Sequence, residues 1–294
     1  MGDRFTTHAD SEVRSEMLRE PRGIDSSHAA WRQPAPLGNP AAQPRGLRAR
    51  VSRGLASVFE ASEDENKQVI LDLVVNGAAR PRVLDLGCFN GAFTSELGVA
   101  ARATSVVGIE WLPQHAAAAR ARGIEVVEAD INEPLPFADE SFDLVHANQL
   151  VEHLRSTDRF LREVRRVCAP DGRIVLATNN LSSWHNVGAL ALGLQPLPNH
   201  VSDEIHVGNP LDPRRGMRHA DIGQTHLRVF TTRALRELAE AHGLRVTQTR
   251  MNGYYPLPPR AARAMARLDP LHAAFVVIEL ARAESDAVVP DAAA

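Results

Sequence analysis

Residues 83–91 read Val83-Leu84-Asp85-Leu86-Gly87-Cys88-Phe89-Asn90-Gly91, and this run decides the fold. An apolar, β-forming segment passes directly into two glycines, the pattern of a buried strand that ends in a sharp turn and enters a helix. Glycine in such a turn permits positive φ and lets the backbone approach a ligand closely. A dinucleotide fingerprint reads G-x-G-x-x-G, whereas this loop reads D-x-G-x-x-x-G and lacks the middle glycine that admits a pyrophosphate. The spacing points to a ligand without a diphosphate.

Outward from this loop, short β-rich runs alternate with helical stretches: residues 82–87, 105–110, 124–130, 142–148 and 173–178, followed by 244–250 and 273–282. Seven strands with crossover helices describe an α/β, Rossmann-like doubly wound sheet. A helix is expected from about Ser62 to Val75, with Val69, Ile70, Leu73 and Val74 at helical spacing and Asn76 and Gly77 at its end. A second is expected from Asp158 to Cys168, where Phe160, Leu161, Val164, Val167 and Cys168 form one stripe, stopped by Pro170 and an Asp171-Gly172 turn. A third runs from Thr232 to His242, with a threonine cap and Gly243 just past its end.

This pattern divides the chain into a flexible or partner-ordered extension over 1–45, a ligand-binding core over 46–180, an insertion over 181–230, the C-terminal part of the core sheet over 231–284 and a disordered tail over 285–294. Pro34, Pro36, Pro40 and Pro44 break any periodicity in the extension. The insertion is rich in Gly, Pro, Asn and His, and a connection of that length is usually functional or disordered. Gly188, Gly193, Gly208, Gly216 and Gly223 within it suggest the hinges of a lid.

In a sheet of this kind ligands bind outside the carboxyl ends of the strands. The second strand ends at Glu110, 25 residues beyond Asp85, where a carboxylate can accept from the two hydroxyls of an adenosine ribose. The third ends in Ala129-Asp130-Ile131, a carboxylate to accept from an adenine amino group and an apolar side chain for the ring face. The fourth ends at His146-Ala147-Asn148.

Composition narrows the partners. The net charge is −3 with scattered basic residues, which removes the electrostatic footprint of a phosphate-binding surface and favours a small-molecule partner over nucleic acid. Charged residues make up 23%, no apolar run approaches the roughly 18 residues that cross a bilayer, and the N-terminus lacks a secretory h-region. The expectation is a soluble cytoplasmic protein without a membrane partner; a homodimer stays open. Cys88 and Cys168 both fall in regular structure, so reduced thiols are expected rather than a disulfide or a cysteine-based zinc site.

The strings VLDLGCFNG, GIE, EADINEPLPFADESFDLVHANQLVEHL and LREVRRVCAPDGRIVLAT, in that order, resemble the class I S-adenosylmethionine-dependent methyltransferases, particularly the branch acting on small metabolites, sugars and natural products. The resemblance covers about a hundred residues and implies a seven-stranded sheet with its last strand antiparallel, with S-adenosylmethionine as cofactor and S-adenosylhomocysteine as product. By that resemblance Asp85, Gly87 and Gly91 surround the methionine moiety, Glu110 holds ribose, Asp130 and Ile131 hold adenine, and Asn148 lines the sulfonium side. Cys88 and Trp111 complete the cofactor set but depart from the family's usual choices: position 88 is often small or polar, and Trp111 either stacks near adenine or packs.

The acceptor is a hydroxyl, which needs a base, or an amine, which needs only to be bound neutral. His185, His206, His219 and His226 fall in the insertion over the carboxyl edge. His153, five residues past Asn148 in Glu152-His153, is the favoured base, because a short helical turn would carry it to the crevice rim; the resembling small-molecule enzymes often have a histidine of this pair near the acceptor. His226 is its competitor. Glu152 as an ordinary carboxylate is a weak base unless burial raises it. Asp203, Glu204 and His206 match no metal-ligand motif, and no metal is expected. The alternatives are an RNA or protein methyltransferase, whose Pro-Pro-aromatic pattern is absent after Asn148, and a regulatory module that binds S-adenosylmethionine without turnover.

Overall fold

A computed structural model describes residues 47–75, 77, 80–212, 214–219 and 225–283. The proposed extension to residue 45, the tail from 285, Asn76 and Gly223 lie outside the described residues. Seven strands form one sheet in the order β3-β2-β1-β4-β5-β7-β6. β1 (Arg82–Leu86), β2 (Ser105–Ile109), β3 (Glu125–Val127), β4 (Phe142–Asn148) and β5 (Cys168–Asn179) pair in parallel. β7 (Phe275–Arg282) is antiparallel both to β5 and to β6 (Leu244–Asn252), as the resemblance implies.

Two strand boundaries differ by more than two residues from those read in the sequence. β3 stops at Val127 rather than Asp130. The Asp130 carboxylate takes the Asn132 N–H at 2.9 Å and its side-chain amide at 2.8 Å, so a local turn replaces the ladder. Cys168 opens β5 instead of closing a helix; the ladder slips from Phe142↔Cys168 to Leu144↔Arg173, so the expected Asp171-Gly172 turn becomes an irregularity within the strand.

Helices cover both faces. On one, α1 (Leu47–Val74), which begins well before Ser62, buries Ile70, Leu73 and Val74 against Val83, Leu97, Leu144 and Val277, and α2 (Ala92–Ala100) contributes Leu97 to the same cluster. α3 (Pro113–Ala121) packs Ala116 and Ala119 on Cys88 and Val126. On the other face α4 (Thr157–Val167) presents Phe160, Leu161, Val164 and Val167, all at most 1% exposed. Burial of each contributes about 1.5–3 kcal/mol. The Ser156 hydroxyl caps α4 by accepting from Arg159 N–H at 3.3 Å. α6 (Thr232–Ala241) joins this layer and is capped by Thr231, which accepts from Ala234 N–H at 3.2 Å.

Two helices escape the periodicity reading, α5 (Trp184–Ala191) at the start of the insertion and α7 (Pro259–Leu268) between β6 and β7. The insertion is tied at its ends: Leu181 N–H donates to Phe230 O at 2.8 Å, and Leu227 N–H donates to Glu152 O at 2.8 Å. The second bond lays the chain around His226 beside the one-turn 3-10 helix Val151–His153. Both cysteines are buried and unpaired. No helix among the described residues is long and apolar enough to cross a membrane.

Candidate functional site

A cavity of about 1180 Å³ lies at the carboxyl ends of the strands, between the sheet edge and the insertion. Pockets for a single small ligand measure roughly 300–1,000 Å³, so the space suits two molecules side by side. The sheet contributes Gly87, Glu110, Asp130, Ile131 and Asn148; Pro198, His200, His206, His219 and His226 close the opposite wall.

The loop after β1 separates ligand-facing residues from structural ones. Gly87, at φ +75°, lines the cavity, and its N–H donates to Ile109 O at 2.9 Å. Asp85 does not line it: this buried carboxylate accepts from the Thr94 hydroxyl at 2.6 Å and pairs with His146 Nδ1 at 2.6 Å, beneath the loop. Gly91 sits at φ +75°, and a Cβ there would stand 2.9 Å from Ala119 Cα, so the glycine lets α2 approach α3 rather than a ligand. Cys88 is likewise turned inward, against Gly108, and burial pushes its thiol up to about 12. Asp85, Cys88 and Gly91 therefore support the loop from behind and do not themselves face the cavity.

The other six cofactor candidates line it. Glu110 is 6% exposed, and its two oxygens accept the backbone N–H groups of Phe89 at 3.1 Å and Leu112 at 2.9 Å. A carboxylate offers about four acceptor sites, so each oxygen keeps a lone pair in a fixed direction. Trp111 is exposed at the rim. Asp130 is engaged by Asn132 and, at 3.2 Å, by Arg155. Asn148 Oδ1 accepts from Asn66 of α1 at 3.0 Å, and Asn66 Oδ1 accepts from Asn252 of β6 at 3.2 Å, a relay that fixes the end of β4. Gln149 follows at φ +52°, held by its N–H on Ala177 O at 2.8 Å; backbone strain of this kind persists only where the surroundings enforce it.

Histidines crowd the insertion side. His153 Nδ1 lies 3.2 Å from Thr225 O and His226 Nδ1 lies 2.7 Å from Pro198 O, so both rings donate through Nδ1 and carry their lone pair on Nε2. His226 stacks on His200 at 4.6 Å, and His200 abuts His206 and His219. Burial holds His226 down to about 3, and His185, His200 and His206 down to about 4. Glu152 does not line the cavity, and full burial pushes its carboxyl up to about 7. Burial is thus the condition under which this carboxylate becomes a stronger proton acceptor. The sequence reading omitted His200, whose only signal was membership of the same His-rich stretch, and also Arg214, Gln149 and Tyr255, which line the cavity without any local pattern.

The sequence profile of the methyltransferase domain family matches residues 48–249, most of the chain. The chain belongs to that family. Two curated relatives are a malonyl-[acyl-carrier protein] O-methyltransferase from Halorhodospira halophila, 33% identical over 135 residues that make up 44% of this chain and 45% of the relative, and a chloroplastic tocopherol O-methyltransferase from Arabidopsis thaliana, 38% identical over 72 residues, 24% of this chain and 19% of the relative. The chain thus spans less than half the length of these relatives. Among solved structures, a chain from the complex of the Haloferax volcanii Trm112 methyltransferase activator with a methyltransferase superposes at TM-score 0.51 with 14% identity, covering 80% of this chain and 98% of that one, a likeness of fold.

The family's cofactor is S-adenosylmethionine, and the cavity of this chain has the donor set for it. Glu110, buried yet on the cavity wall with two oriented lone pairs, fits a vicinal diol. Ile131, 8% exposed, offers an apolar surface of the kind a purine face requires, and Gly87 leaves the wall beside Leu150 without a side chain.

Proposed function

We propose that this chain methylates a small-molecule acceptor, at a hydroxyl first and an amine second, in the manner of a sugar or natural-product tailoring enzyme. The observation that carries the proposal is the polarity of one cavity: oriented carboxylates at its sheet wall, and opposite them the imidazoles of His153 and His226, each held through Nδ1 by a backbone carbonyl. The O-methyltransferase names of both relatives support oxygen as the acceptor atom.

Bound there, S-adenosylmethionine supplies an electrophilic methyl. Glu110 would hold the ribose diol, Asp130 and Ile131 would hold adenine, and Gly87 with Asn148 would border the methionine end. In-line displacement requires little covalent chemistry from the protein, so its main task is to align acceptor and methyl and to exclude water. His153, oriented by Thr225 O, takes the hydroxyl proton at Nε2. His226, whose imidazole burial holds down to about 3, orients the acceptor. Residues 181–230 cover the acceptor.

A panel of hydroxyl, amine and carboxyl acceptors, incubated with S-adenosylmethionine and read by mass, tests this. A methyl gain on hydroxyl compounds is expected. Methyl gain confined to RNA or protein would replace the reading, and cofactor binding without turnover on any acceptor would favour the regulatory module.

A further inference from the structure

The histidines that stand away from His153 form a cluster that methyl transfer alone does not require. His200, His206 and His219 each offer one nitrogen, and the three nitrogens lie within 4.8 Å of one another. Their ring centroids are 5.2 Å (His200 to His206), 4.7 Å (His200 to His219) and 4.2 Å (His206 to His219) apart. The insertion brings them together through a short antiparallel pairing: Ile205 bridges Arg218, His206 N–H donates to Met217 O at 3.0 Å, and His219 N–H donates to Glu204 O at 3.0 Å. His200 arrives from the preceding loop. All three line the cavity.

We propose that His200, His206 and His219 form a binding site for a divalent transition metal, with an open coordination position facing the acceptor space. Imidazole suits zinc, copper, nickel and iron, and three histidines with a vacant fourth position is a form that catalytic zinc takes. Metal-bound histidines usually donate their second nitrogen to a carbonyl or carboxylate, which fixes the ring. His219 already does this, with Nε2 3.1 Å from Ser202 O, leaving Nδ1 as its ligand atom. His206 has the Asp212 carboxylate 3.8 Å from its Nδ1, which leaves Nε2.

His200 is the ligand that rearranges. Its Nδ1 accepts the His226 N–H at 3.0 Å, so its proton is on Nε2, a buried donor with no partner among the described residues. Buried polar atoms without partners are rare and mark something that belongs there. On metal binding the proton moves from Nε2 to Nδ1, the bond from His226 N–H is given up, and Nε2, the atom without a partner, takes the ion. Zinc–nitrogen distances of about 2.0–2.1 Å require the three nitrogens to close to roughly 3.3 Å apart, a side-chain movement on loops.

Glu152, His153 and His226 form a second trio within 4.8 Å, but Glu152 does not line the cavity, so an ion there would lack a carboxylate facing the acceptor. The sequence spacing of 200, 206 and 219 follows no ligand motif because a loop and a hairpin, not one helix, assemble the site.

The metal's task of orienting or polarising an acceptor oxygen rests on the methyl-transfer reading, while metal binding does not. The test therefore omits acceptor and cofactor. The full chain, freed of any affinity tag and stripped with chelator, is titrated with Co²⁺, followed by its d–d absorption, and then with Zn²⁺ as competitor, with metal content measured after dialysis. One metal per chain is expected, together with a tetrahedral-type Co²⁺ spectrum that Zn²⁺ abolishes. His219→Gln and His206→Ala should each weaken binding at least tenfold while S-adenosylhomocysteine affinity persists, and His153→Ala should leave the stoichiometry unchanged. Should His206→Ala fail to fold, His219→Gln decides. No stoichiometric metal in the wild-type chain, wild-type affinity in folded His219→Gln, or loss of metal in His153→Ala would each overturn the site.

Discussion

His153 and His226 meet edge to face at the cavity wall, ring centroids 4.7 Å apart and planes at 76°. They come from segments joined by the Leu227 N–H to Glu152 O bond, so the pair is a product of the insertion docking on the turn after β4. With His153 as base, His153→Ala should lower kcat by about a hundredfold to ten-thousandfold with cofactor affinity nearly unchanged. His226→Ala should raise KM more than it lowers kcat. Steady-state kinetics on the acceptor found by the mass screen check both, and a loss below tenfold for His153→Ala removes it as the base.

Glu152 gives a pH signature. Its carboxyl rises from 4.5 to about 7 because it is fully buried, with Asn179 as a side-chain donor at 3.3 Å and His153 and His226 as its titratable neighbours. Below about pH 4.5 the group is protonated whether the chain is folded or not. Between 4.5 and about 7 the folded chain retains a proton that the unfolded chain releases, so the stability contributed by Glu152 is lost as pH rises through this window. The contribution is on the order of 3 kcal/mol at most. Glu152→Gln, which stays neutral, should lack that loss; urea unfolding of both proteins from pH 5 to 7.5 reads the difference and cancels the histidines they share. A pH-independent difference would contradict it.

Gly91 separates support from contact. Gly91→Ala forces a Cβ to 2.9 Å from Ala119 Cα at φ +75°, a destabilisation of about 1–3 kcal/mol. Thermal unfolding should show the loss, with S-adenosylhomocysteine affinity reduced far less than in Glu110→Ala. An equal loss of affinity in the two variants would place Gly91 in direct contact with the cofactor.

The strands were legible because buried parallel strands must be apolar and must end in turns, and the register of β1 on β2 and β4 places Glu110 and Asn148 at the sheet edge as their positions foretold. What spacing could not show was which side of a loop a residue faces. Asp85, in β1, and Gly91, in the loop that follows, flank Gly87, yet Thr94 and His146 draw Asp85 inward, and α3 claims Gly91. α5 carries only a weak apolar stripe, interrupted by Gly188, whereas α7 is amphipathic, burying Ala262 and Ala266 four residues apart, and its spacing was legible. His200 joins His206 and His219 only through tertiary pairing, which no local period encodes.

The insertion should act as a lid. Gly193, Gly208 and Gly216 take positive φ in its loops, and its residues form one wall of the cavity. Hydrogen exchange with and without S-adenosylhomocysteine should show added protection across 195–219. Equal protection in both states would make it a fixed cover.

Calorimetric titration with S-adenosylhomocysteine bears most directly on the site at the carboxyl edge of the sheet. One mole should bind per mole of chain, no heat should appear with NAD, and Glu110→Ala should weaken binding by about 1.5–3 kcal/mol, roughly tenfold to 150-fold. An unchanged dissociation constant in Glu110→Ala, or tighter binding of NAD than of S-adenosylhomocysteine, would contradict it.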